Sequence, residues 1–398
     1  MDALHQDDMV EVPVNPEVLR WARERAGLSI EQLTKNFVDA AKIRSWEDRK
    51  TLPTLAQAET LATKLRIPLP ILLLDEPPKV ELPIPDLRTL DGLLLTAPSP
   101  EFVDTVNDAV VRQSWYREYI VSSGGHPLPF VGQFASADNT AAVARSIRTT
   151  LQLDERLRLQ CRSWKDFLGK FVQRTDGVGI VLMRNSVVRN DNTRRLKVDE
   201  FRGFAISDPY APLVFINSRD AKAAQIFTLA HELAHIWLGA TGISNPDPRR
   251  RRESVGASLE RTCNEIAAEV LVPKESFLRM WSSSKTTDFN IKQLSAYYRV
   301  SSIVALRRAN EFGKIGDDEF QKRVRAEYAR FNAQEEKEQE KEEKSGNFWN
   351  LFAMRNSQRF TDAVATAARQ GAIPFLYASN LLGVKAATLE GYIKRFHG

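Results

Sequence analysis

The stretch Phe227-Thr228-Leu229-Ala230-His231-Glu232-Leu233-Ala234-His235-Ile236-Trp237-Leu238-Gly239 constrains this chain more tightly than any other. Leu229, Leu233, Ile236 and Trp237 recur at helical spacing, and Gly239 suits a helix stop because glycine enters the left-handed region without steric cost. Residues four apart on a helix share a face, so His231 and His235 can present two imidazoles to one ion. Glu232 lies about 100° around the helix from His231, within reach of a water at that ion. This is the HExxH arrangement, in which zinc polarises a water and the glutamate takes its proton. The competing reading is a helix whose histidines are polar surface or satisfied core residues.

A catalytic zinc needs a third protein ligand and an open position. Downstream, Leu259, Cys263, Ile266 and Val270 have helical spacing, and Pro273 ends the pattern. Glu260 and Asn264 share the neighbouring face. Glu260 is the preferred third ligand, with Glu265 and Glu269 as competitors should the helix be rotated. Asn264 can accept a hydrogen bond from a ligand imidazole and fix its tautomer. Cys263 reads as a small core residue from its apolar register, with a fourth, thiolate ligand as the alternative.

The two cysteines, Cys161 and Cys263, exclude a disulfide framework and lack the paired spacing of a structural zinc site. The N-terminus MDALHQDDMVEVP has neither the basic nor the apolar region of a signal peptide. The most apolar run, Pro68 to Leu74, is far short of the ~20 residues that span a bilayer. The expectation is a cytoplasmic protein with no membrane partner. A net charge of +5 on 398 residues permits a nucleic-acid contact without demanding one.

Residues 14–75 carry dense helix punctuation. Asn15 caps a helix starting at Pro16 and stopped by Gly27. Ser29 to Gln32 has the form of a capping box, Asp39 opens a third helix to about Arg49, and Thr54 opens a fourth ending near Arg66. Asp75-Glu76-Pro77-Pro78 breaks the pattern. Beyond it come helical stretches from Ser99-Pro100 and over Ala141 to Leu151, strands at Gly177–Met183, Phe201–Ser207 and Pro212–Ser218, and long helices around 221–238 and 257–272. Arg249 to Arg252 form a basic loop, Glu335 to Lys344 a solvated charged run, and 356–396 a helical piece broken at Gly371 and Gly383.

Two resemblances follow. FTLAHELAHIWLG, then E-x-x-C-N-x-x-A-A-x-x-L-V-P, resembles the ImmA/IrrE family of metallo-endopeptidases, and FRGFAISDPYAPLVFINSRD resembles the two strands before its HExxH helix. The resemblance implies Zn2+ on His231, His235 and Glu260, Glu232 as general base, and a protein substrate that is a transcription regulator in stress or mobile-element control. Some long members look instead like antitoxin-type regulators paired with a cognate toxin. The N-terminal unit, with A-G-L-S-x-x-Q-L, Ile43, Trp46-Glu47 and P-T-x-x-Q-x-x-x-L-A, is similar to the Xre-type, lambda-repressor-like helix-turn-helix. That resemblance implies double-stranded DNA as a partner, with Gln32, Lys42, Arg44, Arg49 and Lys50 as contacts.

This sequence departs from the helix-turn-helix pattern in two ways. Asp39-Ala40-Ala41 offers little to base edges, and Arg49 stands where a left-handed turn favours glycine. With 10 Lys/Arg against 8 Asp/Glu across 15–75, the unit is barely basic, which leaves a folding or docking module as the alternative.

The expected architecture is α+β and predominantly helical. It comprises a helix-turn-helix domain (1–78), a helical connecting region (79–150), a zincin-like metallopeptidase domain with a small sheet (151–312), a charged helix or linker (313–345) and a C-terminal helical segment (346–398). The leading function is a zinc endopeptidase, and the alternative is a DNA-binding regulator or antitoxin whose metal fold is structural or regulatory.

Overall fold

The computed structural model describes residues 10–79, 81–87, 98–135, 139–245, 258–327 and 348–396. The chain divides into two compact units, one of residues 1–82 with 95–104, the other of 83–94 with 105–398.

In the first unit, α1 (Pro16–Arg25), α2 (Ile30–Thr34), α3 (Ala40–Glu47) and α4 (Leu55–Leu65) each begin at a side-chain cap: Asn15, Ser29, Asp39 and Thr54. Ser29 and Thr54 form reciprocal capping boxes with Gln32 and Gln57. Val14, Leu19, Leu33, Ile43, Trp46, Leu61 and Leu65 make the core. Arg23 reaches the buried carboxylate of Glu47 through Nε and Nη2 at 2.6 and 3.1 Å, tying α1 to α3. Arg49 adopts φ 60°, the left-handed conformation its position required, despite its side chain.

The second unit is mostly helical with a small mixed sheet. Its helices include α5 (Pro100–Ser122) from residue 105 on, α6 (Thr140–Thr150), α7 (Glu155–Gln160) and α8 (Trp164–Gly177), followed by α9 (Lys222–Leu238) and α10 (Ser258–Leu271). Then come α11 (Lys274–Met280), α12 (Thr287–Tyr298), α13 (Ser302–Glu311), α14 (Phe348–Asn356), α15 (Gln358–Arg369), α16 (Phe375–Leu382) and α17 (Ala386–Phe396). The strands are β1 (Val181–Asn185), β2 (Val187–Val188), β3 (Asp191–Arg195), β4 (Gly203–Ile206), β5 (Leu213–Asn217) and β6 (Gly242–Ser244). The four-stranded sheet runs β1-β5-β4-β6, with β1 parallel to β5 and the other pairs antiparallel; β2 and β3 form a separate hairpin.

The expected strand at Gly177–Met183 is corrected. Residues 164–177 are helical because Ser163 caps them and Phe167, Leu168, Phe171 and Thr175 bury one face, so the strand starts only at Val181. Helices α7 and α8, the β2–β3 hairpin and β6 had no counterpart in the sequence reading. The basic loop at 249–252 and the charged run at 335–344 lie outside the described residues. Gly371 and Gly383 both take left-handed φ, 72° and 65°, at the breaks expected of them. Among the described residues no helix is long and apolar enough to cross a membrane.

Helix α9 runs through the middle of this unit's core, and residues 225–237 along it are all buried. Its last carbonyls are satisfied from two sides. Gly239 turns left-handed (φ 73°), while the backbone N–H groups of Gly132 and Phe134 donate to Ile236 and Trp237 at 2.9 and 3.0 Å. Trp237 stacks on Phe130 with centroids 4.4 Å apart and donates from its indole to Ser146. Helix α10 packs along α9. Its C-terminal carbonyls at Glu269, Val270 and Val272 accept from Arg148, Arg158 and Arg308, so positive charge meets the negative end of the helix. These contacts anchor the C-terminal ends of α9 and α10.

Candidate metal centre

His231, Glu232 and His235 are fully buried on α9. One turn apart, the two imidazoles approach edge to face, with Nε2 atoms 3.1 Å from each other. Glu260, in the first turn of α10, brings Oε2 to 3.2 Å from His231 Nε2 and Oε1 to 3.1 Å from His235 Nε2. Two nitrogens and a carboxylate thus enclose one point. Zinc–nitrogen and zinc–oxygen bonds of about 2.0–2.1 Å imply a tetrahedral edge of about 3.3 Å, close to this spacing.

The other acidic candidates lie elsewhere. Glu269 binds Arg308 and accepts from the Lys274 N–H, and Glu265 makes none of the described contacts with the histidines. Asn264 sits one turn beyond Glu260, its Oδ1 3.1 Å from His231 Nδ1, which turns the Nε2 lone pair toward Glu260. The Cys263 sulfur and a ring nitrogen of each histidine all lie within 4.8 Å of one another, so the residue read as core also borders the histidine pair.

The electrostatics suit a cation. Glu232 Oε2 is buried without a hydrogen-bond donor, a costly state for a carboxylate, while Glu260 Oε1 is paired with His235 Nε2. Burial pushes the Glu260 carboxyl up, but the two imidazoles outweigh it and hold it well below the usual carboxylate range. Burial pulls His231 down, yet the Glu260 and Glu232 carboxylates and Asn264 carry it above its ordinary value, while His235, where burial dominates, falls below. Burial raises Glu232 to about 8 against the opposing pull of His231 and Ser244. The donor set, its spacing and its unpaired acceptor fit a divalent ion of zinc's preferences.

Glu232 is held by residues that the sequence reading missed. The Ser244 hydroxyl, on β6, donates to its Oε1. A Cβ added at Gly203 of β4 would lie 2.8 Å from Glu232 Oε1, 2.8 Å from Thr228 Cγ2 and 2.9 Å from the Phe215 carbonyl oxygen. The missing side chain at Gly203 therefore lets the sheet close on α9 beside the carboxylate. A three-residue strand carries no periodic signal, so Ser244 was illegible; Gly203, inside an apolar run, was the one available hint.

The residues expected to touch DNA lie in the first unit. Gln32, Lys42, Arg44, Arg49 and Lys50 are all exposed. Gln32 Oε1 accepts from the Ser29 N–H at 2.8 Å, Arg44 pairs with Glu31 at 3.1 Å, and Lys50 pairs with Asp48 at 2.9 Å.

Residues 175–310 match the peptidase M78 family model, described as the IrrE N-terminal-like domain. The match covers about a third of the chain, including β1–β6 and α9 through most of α13, and it makes this stretch similar to metallopeptidase domains. No curated protein and no solved structure matches the chain.

Proposed function

We propose that the second unit is a zinc-dependent endopeptidase, with His231, His235 and Glu260 as ligands and Glu232 as general base. The observation that carries the reading is the 3.1–3.2 Å convergence of two imidazole nitrogens and a carboxylate, with a second buried carboxylate on the adjoining residue. A zinc ion held there supplies a Lewis acid that polarises a peptide carbonyl and acidifies water. Glu232 Oε2, the carboxylate oxygen without a donor, takes the proton of the attacking water and returns it to the leaving amine. Ser244 holds Oε1 and keeps Oε2 aimed, and Asn264 holds the His231 tautomer.

The substrate class assigned is a partner transcription regulator. The N-terminal unit delivers the enzyme to that partner or to its promoter DNA. The resemblance to ImmA/IrrE proteins supports this substrate class, while the match over 175–310 bears on the metallopeptidase domain alone.

The test compares cells expressing the wild type and Glu232→Gln by profiling new protein N-termini. The expected result is a cleaved regulator seen with the wild type, cut about 10²–10⁴-fold more slowly by the variant at equal zinc content. Equal cleavage by both proteins removes Glu232 from the mechanism. Operator binding or toxin neutralisation that survives Glu232→Gln, with no cleaved partner, replaces the peptidase with a regulator or antitoxin.

A further inference from the structure

Cys263 stands one helical turn after Glu260 on α10, fully buried, with its sulfur in the same 4.8 Å cluster as the ring nitrogens of His231 and His235. Its apolar register explains why it is inside. The register does not explain why a thiol, of all small side chains, should border the two imidazoles that meet Glu260, next to the residue whose carboxylate oxygen, Glu232 Oε2, lacks a donor. A buried sulfur in that company is a soft donor facing a borderline-soft ion, and zinc takes thiolate, imidazole and carboxylate together.

We infer that Cys263 is a fourth zinc donor, one that closes the site when its thiolate binds and opens it when the sulfur withdraws. The inference rests on the peptidase reading and adds its regulation. With zinc–sulfur and zinc–nitrogen bonds of about 2.3 and 2.05 Å, the tetrahedral sulfur–nitrogen edge is about 3.6 Å. The Cys263 sulfur, already within 4.8 Å of a ring nitrogen of each histidine, needs to approach by at most about 1.2 Å to reach that edge. On binding, the thiol gives up its proton to solvent and the sulfur donates an electron pair; no oxidant or reductant is involved. Three donors leave a position for water and four do not, so the closed arrangement has the coordination of a structural site and the open one that of a catalytic site. Latency is then built into one helix: Glu260 and Cys263, three residues apart, supply the permanent ligand and the removable one.

The test uses the full-length protein stripped of metal and reloaded with cobalt(II). A thiolate ligand gives cobalt an intense sulfur-to-metal charge-transfer band in the near ultraviolet, which imidazole and carboxylate ligands lack. The expected result is that band in the wild type and in Cys161→Ala, and its loss in Cys263→Ala and Cys263→Ser. Zinc affinity, measured by competition with a chromophoric chelator, should fall about 10–100-fold in both Cys263 variants, the scale seen when a supporting metal-site group is removed. Circular dichroism of each variant checks that the fold persists, and the serine variant keeps the volume should the alanine variant not fold.

Stoichiometric cobalt uptake without the sulfur band overturns the proposal and leaves the three-ligand site intact. A band that persists in Cys263→Ala overturns it equally. Failure of the wild type to take up cobalt or zinc at all removes the metal centre itself, and the fourth donor with it.

Discussion

At the scale of single residues, the centre depends on atoms that can only accept. Glu260 supplies both oxygens to the imidazoles, Asn264 supplies one to His231, and the remaining lone pairs point at a common position. The amide of Asn264 sets which nitrogen of His231 carries the proton, and hence which is free to bind. Asn264→Ala should therefore lower zinc affinity by about 10–100-fold while leaving thermal stability of the chelated protein nearly unchanged. Chelator competition on the purified variant checks this, and an unaltered affinity would show that α9 packing alone orients the ring. Arg49 illustrates the opposite situation. Its left-handed backbone was demanded by the turn after α3, and the side chain was accommodated at a cost of about 1–2 kcal/mol.

Among elements, the decisive contact is between β4 and α9. Every residue of β4 is buried, and the strand packs so closely that a methyl group at Gly203 would overlap a carboxylate oxygen and a threonine methyl of α9 and a backbone carbonyl of β5 at once. The Phe215 carbonyl belongs to the neighbouring strand β5 and cannot rotate away, so β4 must shift against β5 as well as against the side chains of α9. Gly203→Ala should destabilise the second unit by about 1–3 kcal/mol, the usual cost of overpacking, and should also displace Glu232 from Ser244. Urea unfolding measures the first effect. If the midpoint stays where it is, the close approach of β4 is not required for stability. The arginines at the end of α10 act at the same level, since Arg148, Arg158 and Arg308 anchor the helix that supplies Glu260 through its terminal carbonyls.

For the whole molecule, two compact units share one chain, and the residues proposed as metal ligands all belong to the second. Zinc would bridge α9 and α10, helices separated in sequence, so its binding energy becomes folding energy for that unit. Free zinc at 100 times its dissociation constant adds about 2.7 kcal/mol, and in a domain of this size each kcal/mol moves the melting temperature by about 2–4 °C. Differential scanning calorimetry should show a chelator lowering the transition of the second unit and leaving that of the first in place. A double variant, His231→Ala with His235→Ala, should be insensitive to the chelator; sensitivity in that variant would place the ion somewhere else.

The helix starts in the first unit and the HExxH helix with its glycine stop were legible from the sequence because caps, four-residue spacing and end signals act within a few residues of each other, whereas Glu260, Glu265 and Glu269 all remained open as partners of the histidines. The same locality explains the failures. Helix α8 was hidden by the apolar GVGIVLM run that follows it, and β6 was too short to show a period, so Ser244 emerged only when the sheet assembled. Sequence by itself determined which side chains could share a face of one helix. The tertiary structure alone decided which carboxylate of α10 meets the histidines, which hydroxyl holds Glu232 and how near Cys263 comes, because those distances are set by helix-on-helix register and by how closely a strand may pack when it carries glycine.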